Sequence, residues 1–204
     1  MSKAEAVEKA VQIARGAAEQ KGVEKLCADR ELREREHGLC FLRFLDREIR
    51  IQLRDGRIYG PDGTSVSPRE ELLVLHYLLS PRAVREEGEP VSFREFPGGI
   101  FYLAPFQGRT VGRLVGKIGN NTFGLSRALG SFRWTTYGRG DFGARIQALG
   151  EICLYIVYYC GDEEFGSRAD ILFDSRMKNA LPAEDAVVLA ELLCGRIITS
   201  MPAD

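Results

Sequence analysis

Apolar positions recur at helical spacing through residues 3–21, where Val7, Val11, Ala14 and Ala18 fall on one stripe and Gly22 ends the run. That stripe is mostly alanine, so the predicted helix packs shallowly. The helical pattern resumes at Leu26 and runs into the mixed charges of Asp29–Glu36, giving a helical N-terminal arm over residues 1–36. The period then changes to two. Leu39–Leu45 and Ile49, Ile51 and Leu53 alternate, Asp55-Gly56 supplies a turn before Arg57-Ile58-Tyr59, and Gly60-Pro61-Asp62-Gly63 closes a small antiparallel meander.

Ser67-Pro68-Arg69-Glu70 starts the next helix: a capping serine, a proline at the first helical position, and a glutamate three residues after the cap. Leu72, Leu75, His76 and Leu79 form its stripe, Ser80-Pro81 stops it, and residues 83–90 read as an exposed loop. Eleven of the 22 glycines lie between Gly98 and Gly143. Gly108, Gly112 and Gly116 would share one helical face, a pattern that suits close backbone packing. A strand is expected near Phe132–Tyr137. Ile152–Tyr159 carries no charge and is rich in β-branched and aromatic residues, the signature of a central strand buried on both faces. Arg168–Phe173 reads as a shorter strand and 182–198 as the best helix of the chain. The expected fold is α+β. A mainly antiparallel sheet with a central apolar strand is covered by helices from both chain ends, in one domain spanning residues 1–204.

Composition narrows the function classes. Twenty-eight basic against 29 acidic side chains give a net charge of −1, with no basic excess to suit nucleic acid. No stretch approaches the ~18 apolar residues of a membrane span and no signal-like start precedes one, so a cytoplasmic protein is expected. Cys27, Cys40, Cys153, Cys160 and Cys194 are odd in number and form no C-x-x-C pair, so neither an iron–sulfur cluster nor a disulfide is expected. With only His37 and His76, a histidine-rich metal site is excluded.

Candidate sites are few. Gly138-Arg139-Gly140-Asp141-Phe142-Gly143 matches G-x-G-x-x-G, but Asp141 would set a negative charge in a pyrophosphate cradle. The distance to the strand at Ile152 is also too short for a parallel crossover, so a glycine-rich turn is the better reading. Arg109 and Arg139, beside accessible glycine backbone, suit a carboxylate or phosphate, and with His76, Tyr77 and Asp141 they make the candidate ligand-binding set. Asp162, Glu163 and Asp174 flank neighbouring strands and would hold a hard cation if they converged; a solvated turn is the plainer reading.

Leu75-His76-Tyr77-Leu78-Leu79, Ser92–Gly99, Gly161-Asp162-Glu163-Glu164-Phe165, Ile171-Leu172-Phe173-Asp174 and Leu181–Asp185 occur in that order. Together they resemble the family catalogued as domain of unknown function thirty-seven eighty-six, over residues 70–195. The resemblance implies anaerobic redox or corrinoid metabolism. Longer members carry a cysteine-rich iron–sulfur module that this chain lacks, and the family transfers no catalytic residues. Two functions stay open. One is an accessory or ligand-binding module of anaerobic redox metabolism, taking a corrinoid or another tetrapyrrole, or docking a redox protein. The other is a small metal-assisted enzyme acting on an anionic substrate through the carboxylates of 162–174. The first is preferred because no base–nucleophile pair is legible.

Overall fold

The computed structural model describes residues 2–80 and 88–202, so most of the loop expected at 83–90 lies outside the described residues. The chain opens with α1 (Lys3–Lys21), capped by a Ser2–Glu5 capping box, then α2 (Val23–Asp29). Among the described residues nine strands follow, interleaved with helices: β1 (Glu34–Glu36), β2 (Leu39–Phe44), β3 (Arg47–Gln52), β4 (Ile58–Tyr59), β5 (Pro90–Ser92), β6 (Trp134–Thr136), β7 (Phe142–Leu149), β8 (Ile152–Tyr159) and β9 (Arg168–Asp174). The helices among and after them are α3 (Pro68–Leu79), α4 (Gly99–Arg109), α5 (Val111–Ile118), α6 (Thr122–Ala128), α7 (Met177–Ala180) and α8 (Ala183–Ser200). All strand pairings are antiparallel, in the order β4-β3-β2-β7-β8-β9-β5, with β1 added to β2 and β6 to β7. This is the expected α+β architecture, and β8 is its central strand, buried along nearly its whole length.

Period-two alternation sorts the sheet into two faces. Leu42, Phe44, Ala144, Ile146, Leu154, Ile156, Tyr158, Ile171 and Phe173 join one apolar cluster with residues of α3, α5 and α8, such as Leu75, Leu114 and Leu193. Cys153, Tyr155 and Val157 alternate with these along β8; they are buried but stand outside that cluster, on the opposite face. Arg43, Arg145 and Gln147 share that second face by register. α1 contributes Val11, Ala14 and Ala18, a thin apolar edge, as its alanine stripe implies.

Three local expectations are corrected. The charge run after α2 is not helical: it turns at Arg30–Glu31 and enters β1, because a segment with no apolar stripe gains nothing from a helix beside the sheet edge. The glycines at 108, 112 and 116 do not pack closely. α4 and α5 meet at a break at Thr110, all three glycines are exposed, and the nearest neighbour a Cβ would meet is the Gln107 carbonyl, 3.3 Å from position 112. The stretch from Phe142 to Leu149, where the sequence pattern predicts no element, is β7, one of the two longest strands.

Candidate functional site

The site is built where α2, β2 and the β7–β8 turn meet. Helix α2 ends in a Schellman arrangement: Leu32 N–H donates to Cys27 O at 2.9 Å and Glu31 N–H to Ala28 O at 2.9 Å, with Glu31 left-handed at φ 58°. This sharp stop delivers Arg30 inward. Its guanidinium is buried, lies 4.3 Å from the centre of the Tyr77 ring, and donates through Nη2 to Tyr77 O (2.5 Å), Ser80 O (2.8 Å) and Ser80 Oγ (2.6 Å). Glu151, on the β7–β8 turn, accepts a hydrogen bond from the Tyr77 hydroxyl and has Arg30 Nη1 at 3.5 Å. Burial first, then the Glu151 carboxylate, pushes the Tyr77 phenol well above its ordinary range, so it stays a donor. Gly150 makes the arrangement possible: its φ is 56°, and a side chain there would collide with the Tyr77 hydroxyl.

Above this floor lies a cavity of about 560 Å³, lined by five arginines (30, 35, 43, 133 and 176) and three glutamates (31, 48 and 151), with Phe41, Leu32 and Gln147 among the remaining walls. Three arginines are committed. Arg30 faces Glu151, Arg35 pairs with Glu48 at 3.0 Å, and Arg176 clamps the fully buried Asp174. Arg43 and Arg133 form no ion pair with an acid among the described residues. Arg43 spends Nη2 on the Ser131 carbonyl (2.6 Å), and its Nε is buried without a hydrogen-bond partner. Burial, and then the neighbouring Arg133 charge, lower the Arg43 pKa against the weaker pull of Asp46 and Glu48. Two like charges side by side beside a hollow form an arrangement that an anion relieves.

The residues expected to bind ligand are split among three places. Tyr77 belongs to the floor just described. His76, next to it in the chain, turns to α8, where its Nδ1 lies 2.6 Å from Asp185 Oδ2; Arg109 also reaches α8, 3.2 Å from Glu191. Asp185, Glu191 and Arg109 line a separate apolar groove of about 310 Å³ with Leu72, Phe93 and Val188. Arg139 and Asp141 lie at the far end of β8, roughly 23 Å along the strand from Glu151 at 3.3 Å per residue. Arg139 sits 5.6 Å from the centre of the Tyr137 ring, and Asp141 accepts from Cys160 N–H at 2.8 Å. The G-x-G-x-x-G run is the β6–β7 hairpin turn, its Gly140 (φ 73°) pressed on the Tyr158 backbone; no helix follows it.

The three candidate cation ligands stand apart. Asp162, Glu163 and Asp174 do not converge, because Asp162 and Glu163 precede β9 and Asp174 ends it. Asp162 caps its own turn, accepting from Phe165 N–H (2.8 Å) and Glu164 N–H (2.9 Å), which hold its pKa below the usual carboxylate range. Among the described residues no group of three or more His, Cys, Asp or Glu could hold a metal. None of their helices is long and apolar enough to cross a membrane. Sequence reasoning missed Arg43, Arg133 and Glu151 because they come from three distant segments. The one local signal was alternation: Arg43, Arg145 and Gln147 punctuate apolar strands on a single face.

No curated protein and no solved structure matches the chain. A family model does match, over residues 24–196, and reaches back past the motifs at 70–195 to include α2 and the first strands. On that match, spanning both the arginine-lined cavity and the apolar groove, the chain belongs to the family described as Domain of unknown function (DUF3786).

Proposed function

We propose that this protein is a ligand-binding module for a small anionic molecule held in the arginine-lined cavity, and that it works as an accessory component rather than as an enzyme. The observation that carries the reading is the Arg43–Arg133 pair: adjacent cations, one with a buried unpartnered Nε, beside a hollow of about 560 Å³. That volume falls within the usual range for ligand sites, and arginine is the side chain suited to carboxylate and phosphate. The side chains around the cavity that could transfer protons are glutamates, and among the described residues no serine, cysteine or histidine lines it as a nucleophile or base. Porphyrin-type tetrapyrroles carry peripheral carboxylates of the kind such a pair accepts. The redox and corrinoid context implied by the family resemblance makes a tetrapyrrole polyacid the first natural ligand to try.

The test is a thermal-shift titration with inorganic phosphate, citrate and uroporphyrin against sodium chloride at matched ionic strength. A ligand at 100 times its Kd adds about 2.7 kcal/mol, which at this chain length is a rise of roughly 5–10 °C. At least one of the three anions is expected to give a saturable rise, lost in the Arg43→Gln/Arg133→Gln double variant. If all three do no more than chloride, or the double variant responds like the parent, the proposal is wrong.

A further inference from the structure

At the corner between α5 and α6 two segments of opposite charge are pinned together. The Asn120 side chain clasps the backbone of Gly161: its Oδ1 accepts from Gly161 N–H at 2.8 Å, and its Nδ2 donates to Gly161 O at 2.9 Å. The Tyr158 hydroxyl and Ser167 Oγ both donate to Gly119 O, at 2.6 and 3.1 Å. The loop that follows Gly161 is therefore fixed against the helix corner. It presents Asp162, Glu163, Glu164 and Phe165 to solvent, and Phe165 is 71% exposed. The helix side of the corner has the opposite sign. No Asp or Glu occurs between Glu95 and Asp141, and Arg113, Lys117 and Arg127 stand exposed on α5 and α6. Lys117 lies one turn after Arg113, and Arg127 one turn after Phe123, which is 72% exposed. Among the described residues none of these three cations, nor Glu163 or Glu164, forms an ion pair, so the two halves of the corner leave each other unmatched within the chain.

We infer that this corner is a self-complementary interface through which two copies of the chain form a two-fold dimer. A two-fold axis brings the same patch of both copies together with its halves exchanged. A patch of one sign would repel itself there. Here the acidic loop of each copy falls on α5 and α6 of the other, and each copy's Phe165 meets the other's Phe123. Aromatic side chains and arginine are the groups enriched at protein interfaces, and matched charges around them fix the register. The Asn120 clasp holds the loop in place before association, so little ordering is lost on docking. The corner adjoins the end of β8 away from Glu151, so pairing leaves the arginine-lined cavity open, and the inference does not depend on what that cavity binds.

Sedimentation velocity of the full chain over about 5–500 µM tests this, with reductant present so that the partly exposed Cys160 cannot cross-link copies. The chain should pass from monomer to dimer as concentration rises, and association should weaken at least about tenfold between about 0.05 and 0.5 M sodium chloride. Phe123→Ser should weaken it by at least about tenfold as well. Lys117→Glu/Arg127→Glu and Glu163→Lys/Glu164→Lys should each be monomeric alone. An equimolar mixture of the two should dimerise again, because an all-acidic patch then meets an all-basic one; that recovery also shows both variants to be folded. The inference is overturned if wild type stays monomeric across the range, if it grows past the dimer without an end point, if either reversal alone dimerises like wild type, or if the mixture stays monomeric.

Discussion

Replacing Gly150 by alanine isolates the junction on which the cavity floor depends. The residue is left-handed at φ 56°, which costs an alanine about 1–2 kcal/mol. The new Cβ would collide with the Tyr77 hydroxyl and sit 2.6 Å from Cζ of a ring that is fully buried and unable to swing aside. Overpacking of this kind adds about 1–3 kcal/mol, and loss of the Tyr77–Glu151 hydrogen bond about 0.5–1.5 kcal/mol. The sum, about 2.5–6.5 kcal/mol, is a large share of the 5–15 kcal/mol that holds a typical domain together. Urea denaturation followed by circular dichroism measures it. The decisive comparison is a cycle with Tyr77→Leu, which removes the ring atoms the alanine would strike. Gly150→Ala should then cost only its backbone part, leaving a coupling of about 1.5–4.5 kcal/mol between the two positions. Strictly additive effects, or a Gly150→Ala protein within about 0.5 kcal/mol of wild type by the same measurement, would show that the contact does not constrain the floor.

Two further outcomes follow from groups outside the cavity. The hydrogen bond to Asp185 raises the His76 pKa against the opposing effect of burial, so the pair's contribution to stability is whole below about pH 6.5, the unfolded value, and fades as pH rises through the higher folded value. The melting-temperature gap between wild type and His76→Gln should accordingly be widest below about pH 6.5 and narrow as pH rises above it; a gap that widens with pH would contradict the assignment. Burial drives the Cys27 and Cys194 thiols up to about 12, and Cys40 and Cys153 are buried too, whereas Cys160 is partly exposed. Titration with a thiol reagent at neutral pH should therefore find one prompt thiol in the native protein and five after unfolding, and several prompt thiols would refute this burial pattern.

Local chemistry made much of the fold legible. The Ser67-Pro68-Arg69-Glu70 start carries its own capping atoms, and the structure closes that capping box as expected. The chargeless run at 152–159 had to be a strand buried on both faces, since no other short element hides so many β-branched and aromatic groups. β7 was harder to see, because Ala144 and Ala148 are too small to announce an apolar face and Gly143 reads as a turn. It becomes a strand by pairing with β8, a gain that no local window contains. The β2–β3 turn is similar: Leu45-Asp46 has no turn glycine, and the left-handed leucine persists because the core buries it and Ala148 O accepts its N–H at 2.7 Å.

The site depended on tertiary structure still more. His76 and Tyr77 are neighbours in the chain, yet helical geometry sends one to Asp185 and the other to Glu151. Asp162 and Asp174 look close in the sequence and are held apart by the full length of β9. Arg30, Arg43, Arg133 and Glu151 share nothing in sequence. They meet because antiparallel pairing fixes the register of β2, β7 and β8 and the α2 stop turns Arg30 beneath them. Residue type and period determined the elements by themselves, since each rests on contacts within a few residues. Only the closed sheet decided which charges face one another, because that depends on strand order and register across more than a hundred residues of chain.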